Sequence, residues 1–184
     1  MKKLMMIAAM MLMSVGAFAQ DMYIKPMVGA TLSSLRGSDV ENLKYKVGLA
    51  AGAEFGVDLA NAFTVTAGAL YSMEGYKVKG ADYNCNLDYI DIPILANYYL
   101  FPGFAVKAGV QPSFLVRAKY DDENIKDAYK KFDFAIPIGL SYEFSDFVID
   151  ARYNLGLTKV FDHGDAKAYN SVFMLTLGYQ IPLY

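Results

Sequence analysis

The sequence predicts an all-β chain, an eight-stranded antiparallel up-and-down transmembrane β-barrel with a polar, filled lumen. Three observations predict it. Apolar and polar residues alternate with period 2 almost from end to end of residues 20–184. Short and long connections alternate, so all the long loops fall at one end of the sheet. Glycines gather on the polar face, while bulky Phe, Tyr, Ile and Leu crowd the other.

The strands follow in order. Strand one runs about Met22 to Leu32, with Ile24, Val28 and Ala30 on one face and Tyr23, Lys25, Gly29 and Thr31 on the other. Strand two, about Tyr45 to Leu59, sets Val47, Leu49, Phe55 and Val57 against Lys46, Gly52, Glu54 and Asp58. Strand three, about Phe63 to Tyr76, sets Val65, Tyr71 and Met73 against Thr64, Gly68, Ser72 and Glu74. Strand four, about Leu87 to Leu100, opposes Ile90, Ile92, Ile94 and Tyr98 to Tyr89, Asp91, Leu95 and Asn97.

The second half repeats the scheme. Phe104 to Lys119 sets Val106, Val110, Phe114 and Val116 against Lys107, Gly109, Ser113, Arg117 and Lys119. Phe132 to Phe144 sets Phe134, Ile136, Ile138 and Leu140 against Asp133, Gly139, Ser141 and Glu143. Phe147 to Thr158 sets Ile149, Tyr153 and Leu155 against Asp150, Arg152, Asn154 and Gly156. Val172 to Tyr184 sets Phe173, Leu175, Leu177 and Tyr179 against Thr176, Gly178 and Gln180. Ala60-Asn61-Ala62, Pro102-Gly103 and Ser145-Asp146 read as tight hairpin turns. Long polar loops are expected at about 33–44, 77–86, 120–131 and 160–170.

Alternation alone does not say which face points inward. A soluble lipocalin-like barrel would turn the apolar face in. Here small residues lie on the polar face, where a narrow eight-stranded lumen needs them. Phe63, Phe101, Phe104, Phe144 and Phe147 flank the short turns, as an interfacial aromatic belt would. The polar face is therefore assigned to the lumen.

That assignment puts charges in a confined space, where they must pair. The expected lumen network comprises Arg152, Glu54, Asp58, Glu143, Asp150, Lys107, Glu74, Asp91, Arg117 and Asp133. Counting back from the Ser145-Asp146 turn, Gly139 should face Arg152 and Ser141 should face Asp150. The guanidinium then has open space toward Glu143, Glu54 or Asp58.

Residues 1–19 read as a cleaved signal peptide, leaving 20–184 as one barrel domain. Lys2 and Lys3 precede the apolar stretch Leu4 to Met13, and Ala17-Phe18-Ala19 is an A-x-A site. Without the two leader lysines, 15 basic residues stand against 19 acidic ones, which gives no reason to expect nucleic acid as a partner. A single Cys rules out a disulfide framework within the chain and any multi-Cys metal site. Cys85 is expected as a free, exposed thiol at a loop tip.

Several segments resemble the PorT-like outer membrane β-barrel family of Bacteroidetes. They are Tyr89-Ile90-Asp91-Ile92-Pro93-Ile94-Leu95, Lys107-Ala108-Gly109, Phe132-Asp133-Phe134, Ala151-Arg152-Tyr153-Asn154-Leu155-Gly156-Leu157-Thr158 and Leu175-Thr176-Leu177-Gly178-Tyr179. The resemblance implies a barrel similar to the small OmpA and OmpX type, in the outer membrane of a Gram-negative cell. It also implies that most relatives have no assigned activity and that one branch serves protein secretion. The sequence departs from the usual aromatic finish at Pro182-Leu183-Tyr184, where Tyr184 falls on the polar register.

No catalytic, cofactor or metal site is expected. His163 could join Asp162, Asp165 and Ser171 in a Ser-His-Asp set, but it sits in a polar loop where these residues are ordinary. Asp121-Asp122-Glu123-Asn124 with Asp127 offers oxygen ligands without the EF-hand spacing. The expected role is structural or surface-directed, either envelope integrity or binding through the four loops. The alternative is an accessory component of a secretion system; a lipid-modifying enzyme comes third and a diffusion pore fourth. Expected partners are outer membrane lipids, barrel-assembly machinery at the C-terminal strand, and a protein outside the cell or within a secretion system.

Overall fold

A computed structural model of the chain describes residues 21–37, 43–78, 84–120, 123–126, 129–161 and 167–183. The expected leader at 1–19, Tyr184, His163 with Asp162 and Asp165, and Asp121, Asp122 and Asp127 lie outside these residues. Eight antiparallel strands form one sheet: β1 (Asp21–Arg36), β2 (Lys46–Ala60), β3 (Phe63–Val78), β4 (Asn84–Asp91 and Ile94–Phe101), β5 (Phe104–Tyr120), β6 (Phe132–Phe144), β7 (Phe147–Lys159) and β8 (Tyr169–Tyr179 and Ile181–Leu183). Each pairs with the next, and β8 returns to β1 through Met27↔Gly178 and Met22↔Leu183. The eight strands thus close into a ring in which each is paired on both sides.

Two strands are interrupted without leaving the wall. In β4 the break is Ile92-Pro93, because Pro93 has no N–H for the ladder. The ladder recovers around it: Ile92 N–H donates to the Pro112 carbonyl at 2.9 Å, and Gly68 N–H to the Pro93 carbonyl at 3.0 Å. In β8 the break is at Gln180, whose N–H donates to the Asp146 carbonyl at 2.7 Å.

Three two-residue turns close β2–β3, β4–β5 and β6–β7, as the sequence predicts. In two of these turns one residue takes left-handed backbone, Gly103 at φ 81° and Ser145 at φ 53°. Asp21 and Leu183, the first and last described residues, lie at this same rim. Its outer surface carries stacked aromatics, Phe101 on Phe104 at 4.8 Å and Phe144 on Phe147 at 5.7 Å, with Tyr179 edge-on to Phe147 at 5.1 Å.

Facing follows the assignment made from glycine and bulk. Val47 is 69% exposed and Ile138 55%, while Arg152 is 2% exposed and Glu54 1%. A soluble protein would reverse these values, so the wall is built for an apolar surrounding.

The far end of the barrel differs from the expected long loops. β1 runs on to Arg36, β3 to Val78, and β4 starts at Asn84. Short strands at Leu43–Lys44 and Glu123–Asn124 extend the wall by pairing with β3 and β5. The cause is apolar packing inside. Leu35, Cys85, Leu87, Tyr89, Leu115, Ala118, Tyr129, Val160 and Ala168 form a buried cluster that rewards continued strand pairing. Cys85 therefore departs from expectation: it is fully buried rather than exposed. Its Sγ lies 3.4 Å from the Tyr129 hydroxyl, which also meets the Tyr76 hydroxyl at 2.9 Å. Burial, then the hydrogen bonds to Cys85 and Tyr76, hold the Tyr129 phenol above its ordinary range.

Candidate functional site

The lumen is layered along the barrel axis. At the short-turn rim a chamber of about 830 Å³ opens outward. Tyr23, Asp58, Tyr99, Glu143, Asp146 and Gln180 are among its lining residues. Asp58 accepts a hydrogen bond from the Thr64 hydroxyl, and Glu143 accepts one from the Tyr99 hydroxyl. Two of the acids expected near Arg152 are thus held by hydroxyls at the mouth, and neither forms an ion pair with it.

Above the chamber lies a five-membered ionic chain. Arg152 Nη2 is 2.7 Å from Glu54 Oε1, and Arg152 Nε is 2.7 Å from Asp150 Oδ1. Lys107 pairs with the other Asp150 oxygen. Lys25 Nζ lies 2.9 Å from Glu54 Oε2. Every member is buried. In a narrow site without bulk water these pairs act at low dielectric, so each charge depends on its partners.

Backbone register explains why the chain forms. Gly139 sits opposite Arg152 and Ser141 opposite Asp150, as the count from the hairpin turn predicts. Lys25 sits opposite Glu54 across β1–β2. Glycines then leave room for the stems. A Cβ on Gly139 would lie 2.8 Å from Arg152 Cβ, one on Gly68 2.6 Å from Glu54 Cγ, and one on Gly178 2.8 Å from Lys25 Cγ. Gly68, Gly139 and Gly178 thus supply the space that these ionic side chains occupy.

A third layer is acidic and hydrogen-bonded. Glu74 accepts from the Ser72 hydroxyl at 3.0 Å, and the Lys46 ammonium donates to the Glu74 carbonyl at 2.6 Å. Asp133 accepts from the Asn170 amide at 2.7 Å and from Phe134 N–H at 2.7 Å. Asp91 is buried opposite Ser113 of β5, and neither of its carboxylate oxygens has a hydrogen-bond partner among the described residues. Glu74, Asp91 and Asp133 share this layer without joining the Arg152 chain.

Arg117 departs from the expected network. It is not in the lumen; its side chain is 51% exposed and stands 3.7 Å from Asp88. The reason is a bulge: β4 pairs Asp88 with Arg117 but Tyr89 with Leu115, so β5 carries one extra residue there. Val116 and Arg117 both face outward, and Leu115 and Ala118 face in. Asp88 is also the acceptor for the Tyr71 hydroxyl at 2.7 Å. Lys119 shifts with Arg117 to the outer wall.

Within the described residues no cluster of three or more His, Cys, Asp or Glu side chains is arranged to hold a metal ion. The arrangement supports ion pairing and closure. The ionic chain crosses the lumen, and the apolar cluster fills its far end.

The sequence matches the family described as outer membrane protein beta-barrel domain over residues 18–162. A comparison with curated protein sequences finds no match. Among solved structures, Neisserial surface protein A is similar at 14% identity, with 86% of this chain and 97% of that one covered and a TM-score of 0.58. The attachment invasion locus protein Ail of Yersinia pestis is similar at 16% identity, covering 88% and 98% with a TM-score of 0.54. OprG from Pseudomonas aeruginosa matches at 14% identity, covering 89% and 97% with a TM-score of 0.50. At these identities the likeness shows the fold, whereas the family match spans most of the chain and reaches from before β1 to the end of β7. The closed eight-stranded wall, its outward apolar face and this match together make the chain a member of the outer membrane protein beta-barrel domain family.

Proposed function

We propose that the protein is a closed outer membrane barrel with a structural or surface-directed role, and not an open diffusion pore. The observation that carries this reading is the filled lumen, with Lys25, Glu54, Arg152, Asp150 and Lys107 linked across it beneath an apolar cluster. A leader at residues 1–19 would deliver the chain across the inner membrane. A strain lacking the protein should become sensitive to detergents while its uptake of small solutes stays unchanged. Slowed solute uptake with an intact detergent barrier would favour a pore instead.

A second reading, an accessory role in protein secretion, rests on the PorT-like segments and on the open chamber at the short-turn rim. It predicts that the same strain keeps its barrier but stops releasing secreted proteins. We assign no catalytic role, and His163→Ala should leave lipid composition unchanged. Loss of a lipid product in that variant would overturn this assignment.

A further inference from the structure

Leu43–Lys44 pairs with the end of β3 so that Lys44 stands directly opposite Lys77, and both side chains are exposed. Like charges in a directly opposed cross-strand pair repel. Neither ammonium has an ion-pair partner among the described residues. Lys77 keeps the outward register of Tyr71 and Met73, while Tyr76, in the inward register of Ser72 and Glu74, packs against the apolar cluster. The wall continues in the same sense. Arg117 and Lys119 face outward on β5, two strands away and so roughly 10 Å across the sheet. Among the described residues, Asp88 on this stretch of wall accepts from the Tyr71 hydroxyl and stands beside Arg117.

Immediately below the lysine pair the wall turns apolar. Tyr45 is 61% exposed and Val47 is 69% exposed. The basic stretch therefore sits at the upper border of the lipid-facing band. The opposite border differs in kind: residues 58–64, 99–105, 143–148 and 180–183, which form the short-turn rim, contain no Lys or Arg.

We propose that Lys44, Lys77, Arg117 and Lys119 form a docking surface on the outer wall for the phosphate groups of an anionic glycolipid in the outer leaflet. A phosphate between two lysines turns their repulsion into two attractions, and its acyl chains would lie along Tyr45 and Val47. The polarity of the molecule selects this leaflet, because the bases border the apolar band only at the end away from the short turns. This inference rests on the outer membrane reading above and adds a lipid partner to it.

The test refolds the chain into phosphatidylcholine vesicles, into the same vesicles containing diphosphoryl lipid A, and into phosphatidylcholine vesicles with inorganic phosphate added. The unfolding midpoint is read from gel mobility, and retained lipid from native mass spectrometry. The expected result is a midpoint raised by diphosphoryl lipid A and retention of that lipid. The double variant Lys44→Gln with Lys77→Gln should lose both, while Lys159→Gln, on β7 across the barrel, should keep both. Equal responses in wild type and double variant, or no response in either, would overturn the proposal. The full response with inorganic phosphate alone would overturn the lipid as its source. Insertion into phosphatidylcholine alone separates the two claims: a barrel that inserts but ignores lipid A loses only this surface, and one that does not insert loses the membrane reading.

Discussion

Arg152 is 2% exposed, and its guanidinium lies 2.7 Å from both Glu54 and Asp150. Removing it leaves two buried carboxylates short of their main counter-charge. Arg152→Ala should therefore cost about 3–5 kcal/mol of folding stability, the usual range for breaking a buried pair from one side. Chemical denaturation of the refolded barrel measures it; a loss under about 1 kcal/mol, the value of an exposed pair, would show the lumen to be wet. Gly139→Val tests the space behind the same side chain, because even a Cβ would sit 2.8 Å from Arg152 Cβ. That variant should fail to refold, and wild-type yield from it would contradict the packing. The Arg152–Gly139 pairing was legible in the sequence because a two-residue turn fixes register by counting. The Lys25–Glu54 pair was not, because β1 and β2 are joined by a long connection that fixes no register. Asp58 and Glu143 share the lumen face with Arg152, and only the strand stagger shows that they sit at the mouth.

At the scale of the elements, strict alternation made all eight strands readable, and the split of glycines and bulky side chains between the two faces made their facing readable. A charge on the outer face of β6 should be costly, since Ile138 is 55% exposed on the wall. Ile138→Arg should lose about 2–4 kcal/mol if that site lies near the bilayer midplane, read from the unfolding midpoint in vesicles. An unchanged midpoint would mean that this face does not meet lipid. Alternation failed where it was broken. At Val116-Arg117 two successive side chains face outward, so an inward Arg117 was expected where the bulge delivers Ala118. The far-end cluster was hidden for a related reason. Cys85, Tyr129 and Phe161 stand among polar neighbours in sequence and meet only when the strands overrun the membrane band. A maleimide reagent should therefore leave Cys85 unmodified in the folded barrel and label it fully in denaturant. Rapid labelling of the folded protein would show that the cluster does not cap the lumen.

For the whole molecule, the sequence carries the architecture through the alternation of short and long connections, while the lumen's contents depend on contacts between distant strands. The central claim is that the barrel is closed: an open acidic chamber at one end, the Arg152 chain across the middle, and an apolar cluster at the other. Eight strands give a ring that side chains can fill, and beyond the chamber these side chains fill it. Planar-bilayer recording of the refolded wild-type chain tests this most directly. The account predicts no large steady conductance from a single chain. A stable step of general-porin size from the intact, unproteolysed protein would contradict it.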